Sequence, residues 1–133
     1  MSVKESALTE IELISRASKV RENAYAPFSN FLVGAALLTR DGEVFVGCNV
    51  ENSSYGLTIC AERNAIGAMV ATGKREIESI AIVANRLASP CGACRQYIVE
   101  FGSEIKVISA AADDLDDLKS WLISELLPSH FKL

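Results

Sequence analysis

Apolar and polar positions alternate along this chain with periods that change several times. Leu13, Ile14, Ala17, Val20 and Ala24 recur at the three- and four-residue intervals that line one face of a helix. Thr9 with Glu12 forms a capping-box pattern, so the spacing predicts a helix that begins at Thr9 and ends before Pro27. Leu32 to Thr39 and Val44 to Cys48 are strand-like apolar runs separated by Arg40-Asp41-Gly42, a turn signal that predicts an antiparallel pair. A polar loop, Asn49 to Thr58, leads into a helix predicted over Ala61 to Thr72, with Ala65, Ile66, Met69 and Val70 facing inward and Gly73 closing it.

The second half is more apolar. Ile80 to Ala84 is an unbroken hydrophobic run, which suits a strand covered on both faces. Pro90 halts the chain before a helix predicted from Gly92 to Phe101 and closed by Gly102. Ile105 to Ser109 reads as another central strand, Asp113 to Asp117 as a solvated acidic turn, Lys119 to Ile123 as a last strand, and Ser124 to Leu127 as a short helix stopped by Pro128. This order predicts an α/β fold, a mixed sheet with helices on both faces, in which two strand-to-helix junctions lie at one end.

Composition narrows the function. With 133 residues and 50% hydrophobic content, the chain has core enough for one domain over residues 1–133 and too little for two. It opens without a basic segment followed by an apolar one, and its longest apolar stretch, Phe31 to Leu38, is too short to cross a bilayer, so a cytoplasmic protein with no membrane partner is expected. A chain of this size does not need disulfides, which makes metal binding the better use of its four cysteines. The net charge of −4, with no cluster of Lys or Arg, argues against a nucleic-acid partner and for a small substrate.

Two strings carry the chemistry: Cys60-Ala61-Glu62 and Pro90-Cys91-Gly92-Ala93-Cys94. Three thiolates, Cys60, Cys91 and Cys94, can hold a zinc ion and leave its fourth tetrahedral position to water. Glu62 is then not needed as a ligand and is free to move protons. Three thiolates also give the site a formal negative charge that weakens its hold on water's acidity. Both strings fall at helix starts, whose unpaired N–H groups are expected to donate to the sulfurs, and Arg63 adds a full positive charge beside them. The bland alternatives are a closed site completed by Cys48 and a Glu62 that merely favours its helix start. Cys48 lies in a strand without a second cysteine nearby and is read as a packed small residue, and His130 as a surface residue near the carboxyl end.

Pairing of such a Cys-x-Glu string with Pro-Cys-x-x-Cys marks zinc-dependent base deaminases. With Cys60-Ala61-Glu62-Arg63 and Pro90-Cys91-Gly92-Ala93-Cys94-Arg95-Gln96 in place, the chain resembles the small, homotetrameric, three-cysteine class of cytidine deaminases. The likeness extends to Tyr25-Ala26-Pro27-Phe28-Ser29-Asn30-Phe31, Val33-Gly34-Ala35-Ala36-Leu37, Gly47-Cys48-Asn49-Val50-Glu51-Asn52 and Glu125-Leu126-Leu127-Pro128 followed by Phe131. It implies a three-layer α-β-α fold on a five-stranded sheet, one zinc per chain, and hydrolysis of cytidine and 2′-deoxycytidine to uridine and 2′-deoxyuridine in pyrimidine salvage. It further implies that Phe31 packs on the pyrimidine, Asn49 and Glu51 bind the ribose, the N–H of Ala61 and the carbonyl of Ser89 hold the base, and Arg63 bonds the ligand sulfurs. Phe131, and the segment around Tyr55, would reach a neighbouring subunit's site in a homotetramer. Taken without the zinc strings, Phe31 reads as core packing and Asn49 to Asn52 as a polar turn.

Two departures stand out. Asp113-Asp114-Leu115-Asp116-Asp117 replaces an Asp-Gly turn common in that family, and Leu122 stands where a capping Thr or Ser is usual. Rival readings are a deaminase of a nucleoside antibiotic such as blasticidin S, an editor of bases in RNA or DNA, and a noncatalytic zinc-binding module.

Overall fold

The computed structural model describes residues 3–133, with residues 3–9 described by their backbone alone. Helix α1 (Val3–Arg21) is followed by strands β1 (Gly34–Thr39) and β2 (Val44–Cys48) and a single 3-10 turn at Tyr55–Leu57. Then come α2 (Ala61–Ala71), β3 (Ile77–Ala84), α3 (Gly92–Val99), β4 (Lys106–Ala111), β5 (Asp114–Leu122) and α4 (Ile123–Leu126). The five strands form one sheet in the order β2-β1-β3-β4-β5. Only β3 and β4 run parallel, and the other three pairs are antiparallel, so the sheet is mixed as predicted.

Helices cover both faces. On one, Leu13, Ile14 and Ala17 of α1 pack with Ala36, Ala81, Val83, Ile108 and Ala110. On the other, Ala61, Ala65, Ile66 and Met69 of α2 and Ile98 and Val99 of α3 pack with Leu37, Ile80, Ile82 and Val107. The period-two alternation of β1, β3 and β4 divides their side chains between these two cores, giving three layers. At Gly47 the packing leaves no room for a side chain: a Cβ would sit 2.5 Å from the Ala65 nitrogen and 2.6 Å from the Ala61 carbonyl oxygen. A glycine there lets the start of α2 lie directly on β2.

Several boundaries depart from the sequence reading. The first helix starts at Val3, six residues ahead of Thr9, so Thr9 lies inside it and starts nothing. The expected Thr9–Glu12 side-chain bond lies outside the described side chains. That helix also ends at Arg21, before Ala24, because the chain turns at Glu22–Asn23 and Tyr25 bridges to Val50. The largest correction is at the acidic stretch. Asp114 to Asp117 belongs to β5, which pairs antiparallel with β4 after a turn at Ala112–Asp113. An edge strand with most positions exposed can carry aspartates at little cost, and charge there discourages pairing with other chains. Leu122 offers α4 no side-chain acceptor, yet Glu125 Oε1 accepts from the Leu122 N–H at 2.7 Å, so half of the cap survives.

Candidate active site

The sheet brings the two cysteine strings together. Cys60 is the N-cap residue of α2 and Cys91 that of α3, with Cys94 in the first turn of α3. Their backbones are extended at the caps, as N-caps require, which turns the side chains out of each helix and toward the other. The three sulfurs lie within 4.8 Å of one another, and those of Cys60 and Cys91 are 3.9 Å apart. A tetrahedral zinc with Zn–S bonds of about 2.3 Å sets its sulfurs about 3.8 Å apart, so these thiols fit the ion. Cys48 is not among them, and all four cysteines are free thiols. One expectation fails: neither N-cap sulfur accepts a hydrogen bond from its own helix start, because both point across at each other.

Charge compensation comes instead from Arg63. Its Nη2 donates to the Thr58 carbonyl at 3.1 Å and approaches Cys60 Sγ at 3.9 Å, while its buried Nε has no partner among the described residues. A hydrogen bond from Cys94, assisted by Arg63, lowers the Cys60 thiol to about 5. Giving that bond, together with burial and the nearby Glu62, pushes the Cys94 thiol up.

Glu62 is only 5% exposed, in the first turn of α2. Burial raises its carboxyl to about 7, and the Cys60 charge adds to the shift against the opposing pull of its own backbone N–H, the Cys94 thiol and Arg63. A carboxyl near 7 can both take and give a proton at neutral pH. As a buried acid whose partners only partly offset its desolvation, it is costly to folding, which favours a chemical role over that of a helix-start acid.

Of the remaining positions singled out from sequence, all but Ala61 lie outside regular helices and strands. Asn49 is buried: its Oδ1 accepts from the Val33 N–H at 2.8 Å and its Nδ2 donates to the Phe31 carbonyl at 2.9 Å, fixing the segment that carries Phe31. Glu51 Oε1 accepts from the N–H groups of Phe28 (2.9 Å) and Ser29 (3.2 Å), and Oε2 from the Ser29 hydroxyl. These bonds hold its carboxyl below the ordinary range. Ala61 is fully buried at the first position of α2, Ser89 is exposed beside Pro90, and Phe131 is 68% exposed. The Arg86 guanidinium lies 5.2 Å from the Phe31 ring centroid, and Arg95 bonds both Ser89 and Pro90. Sequence reasoning assigned nothing to Arg86 or to Arg95 separately, since a lone arginine beside a ligand string has no spacing to announce its partner.

Comparison with known proteins agrees with this geometry. Residues 8–111 match the family model described as the cytidine and deoxycytidylate deaminase zinc-binding region. The chain is 47% identical over 122 residues to the cytidine deaminase of Halalkalibacterium halodurans, covering 90% of this chain and 91% of that one. To the cytidine deaminase of Sporosarcina psychrophila it is 44% identical, over 90% and 89% of the two chains. The crystal structure of cytidine deaminase from Burkholderia pseudomallei superposes with a TM-score of 0.84 at 45% identity, over 91% of this chain and 98% of that one. The Mycobacterium tuberculosis cytidine deaminase gives 0.81 at 39%, over 93% and 98%. Zinc is the ion that both the family and the three-sulfur cluster select. A three-layer fold of this topology, thiols spaced for zinc at two facing helix starts, and likeness over nearly the whole chain lead to one conclusion: the protein belongs to the cytidine and deoxycytidylate deaminase family.

Proposed function

We propose that this chain hydrolyses cytidine and 2′-deoxycytidine to uridine and 2′-deoxyuridine, releasing ammonia, and that residues 1–133 act as one catalytic domain. The observation that carries the proposal is a buried Glu62 carboxyl in the first turn of α2, beside three thiols spaced for one zinc ion. When bound by Cys60, Cys91 and Cys94, zinc supplies a Lewis acid that lowers the pKa of water toward about 7. Glu62 takes a proton from the attacking water, delivers one to a ring nitrogen, and protonates the departing amine. Arg63 offsets the charge of the thiolates. The N–H of Ala61 and the carbonyl of Ser89 hold the base's O2 and amino group, and Phe31 packs on the ring.

Asn49 and Glu51 take up the sugar. A carboxylate among neutral donors accepts a hydroxyl's hydrogen bond and repels a phosphate, which favours a nucleoside over a nucleotide. Supporting a homotetramer with shared sites are the exposed apolar side chains of Tyr25, Phe28, Tyr55, Leu57 and Phe131, of which Phe28 and Tyr55 meet edge to face. Among the described residues no helix is long and apolar enough to cross a membrane. Work in the cytoplasm, in pyrimidine salvage, would keep the ligand thiols reduced.

The test is a panel of cytidine, deoxycytidine, cytosine, cytidine monophosphate and blasticidin S with product identification, on protein of known zinc content. The expected result is one zinc per chain and uridine as the fastest-formed product. Preference for blasticidin S or the monophosphate would overturn the substrate assignment, and full activity without metal would overturn the mechanism.

A further inference from the structure

We infer that Arg95 is a positioning residue that sets the Ser89 carbonyl to recognise the substrate's amino group. This rests on the deaminase reading above, in which that carbonyl accepts from the 4-amino group. Ser89 and Pro90 lie between β3 and α3 with no regular secondary structure, and Ser89 is exposed while Pro90 is buried, so packing seats the segment but no ladder bond fixes the direction of the Ser89 carbonyl. Pro90 brings no N–H with which to tie the backbone down. A carbonyl that must tell an amino group from an oxygen needs its direction fixed closely, because small misplacements at a reacting centre cost large factors in rate.

All three guanidinium nitrogens of Arg95 are engaged, each by a different acceptor. Nε donates to the Pro90 carbonyl at 2.8 Å, Nη2 to the Ser89 hydroxyl at 2.9 Å, and Nη1 to the Leu126 carbonyl at 2.8 Å. The first two bonds grip the Ser89–Pro90 segment. The third runs to the end of α4, where a helix leaves carbonyls without partners. Arg95 itself is rooted in α3, its N–H bonded to the Cys91 carbonyl at 2.9 Å. The planar fork is thus fixed at its root and on its far side, and its remaining arms orient the loop. Lysine, whose three N–H groups share one nitrogen on a flexible stem, cannot reach three acceptors that here meet three separate nitrogens.

The function of that grip separates from general stability by comparing two ligands. Cytidine presents an amino donor to the Ser89 carbonyl, whereas uridine, the product, carries an oxygen there. Arg95→Lys and Ser89→Ala are each expected to lower kcat/KM for cytidine by about tenfold, the scale of one well-placed hydrogen bond. Inhibition by uridine should move by less than about twofold, and one zinc per chain should remain. The double variant should lose little more than the worse single one, since both act on one bond. Should Arg95→Lys fail to retain zinc, Ser89→Ala decides, because it removes only an exposed hydroxyl. Equal losses for cytidine and uridine, or no loss for either, would overturn the positioning role. Failure of zinc-loaded wild-type protein to turn over cytidine would instead overturn the deaminase reading, and this inference with it.

Discussion

Glu62 is where the chemistry and the folding cost meet. Its carboxyl is buried beside sulfurs, and the pull of Arg63 offsets its desolvation only in part, so its affinity for protons is raised. Replacing it with glutamine keeps the shape, and with it one zinc per chain by metal analysis, but removes the proton carrier. Turnover of cytidine by Glu62→Gln is expected to fall at least about 10²-fold, the scale of general acid–base catalysis. Glu51 shows the opposite shift. Its carboxyl is lowered by the Ser29 hydroxyl and by the N–H groups of Phe28 and Ser29, so this anchoring is complete above the ordinary carboxylate range and is lost as pH falls through the depressed value. Amide protection at Phe28 and Ser29, relative to the intrinsic exchange rate, should therefore fall in acid, and Glu51→Gln should abolish that pH dependence. The sequence singled out Glu51 through its place beside Asn49, but its partners lie more than 20 positions away, and no local pattern announces them.

Elements carry these residues, and their contacts decide how well. The start of α2 rests on β2 through Gly47, where even a methyl group would strike the helix backbone at 2.5 Å and 2.6 Å. Gly47→Ala must therefore lift the helix that holds Cys60, Ala61 and Glu62. A stability loss of about 1–3 kcal/mol, the usual cost of overpacking, is expected in denaturant melts, accompanied by weaker zinc retention. A variant with native stability and full zinc would contradict that packing argument. Periodicity was sufficient to read α2, α3 and β2 nearly to the residue, because each has a clear apolar face and a glycine or proline near its end. It misjudged β5, where aspartates at an exposed edge look like a turn, and α1, where a capping pattern within a longer helix looks like its start.

For the molecule as a whole, a zinc ion held by these thiols would join α2 to α3. These two helices are separated in sequence by the whole of β3, and three sulfurs drawn from both would hold one ion. Stripping zinc with a chelator should lower the thermal midpoint, and returning it should restore the midpoint in a concentration-dependent way, by about 2.7 kcal/mol at one hundred times the dissociation constant. A midpoint indifferent to zinc would mean that the thiols do not close on it. Assembly belongs to this scale too: sedimentation should find four chains together, burying the exposed aromatic side chains of Phe28 and Tyr55, which meet edge to face at 5.9 Å. By itself the sequence determined the layered α/β architecture and the family, and singled out Cys60, Cys91, Cys94 and Glu62 as candidates, since these depend on residue type, short spacing and local period. Only the tertiary structure decided which sulfurs meet, that Arg63 rather than the helix caps offsets their charge, and that Arg95 reaches Ser89, Pro90 and Leu126. Those contacts join residues distant along the chain, and direction and distance between such residues exist only once the sheet has brought them together.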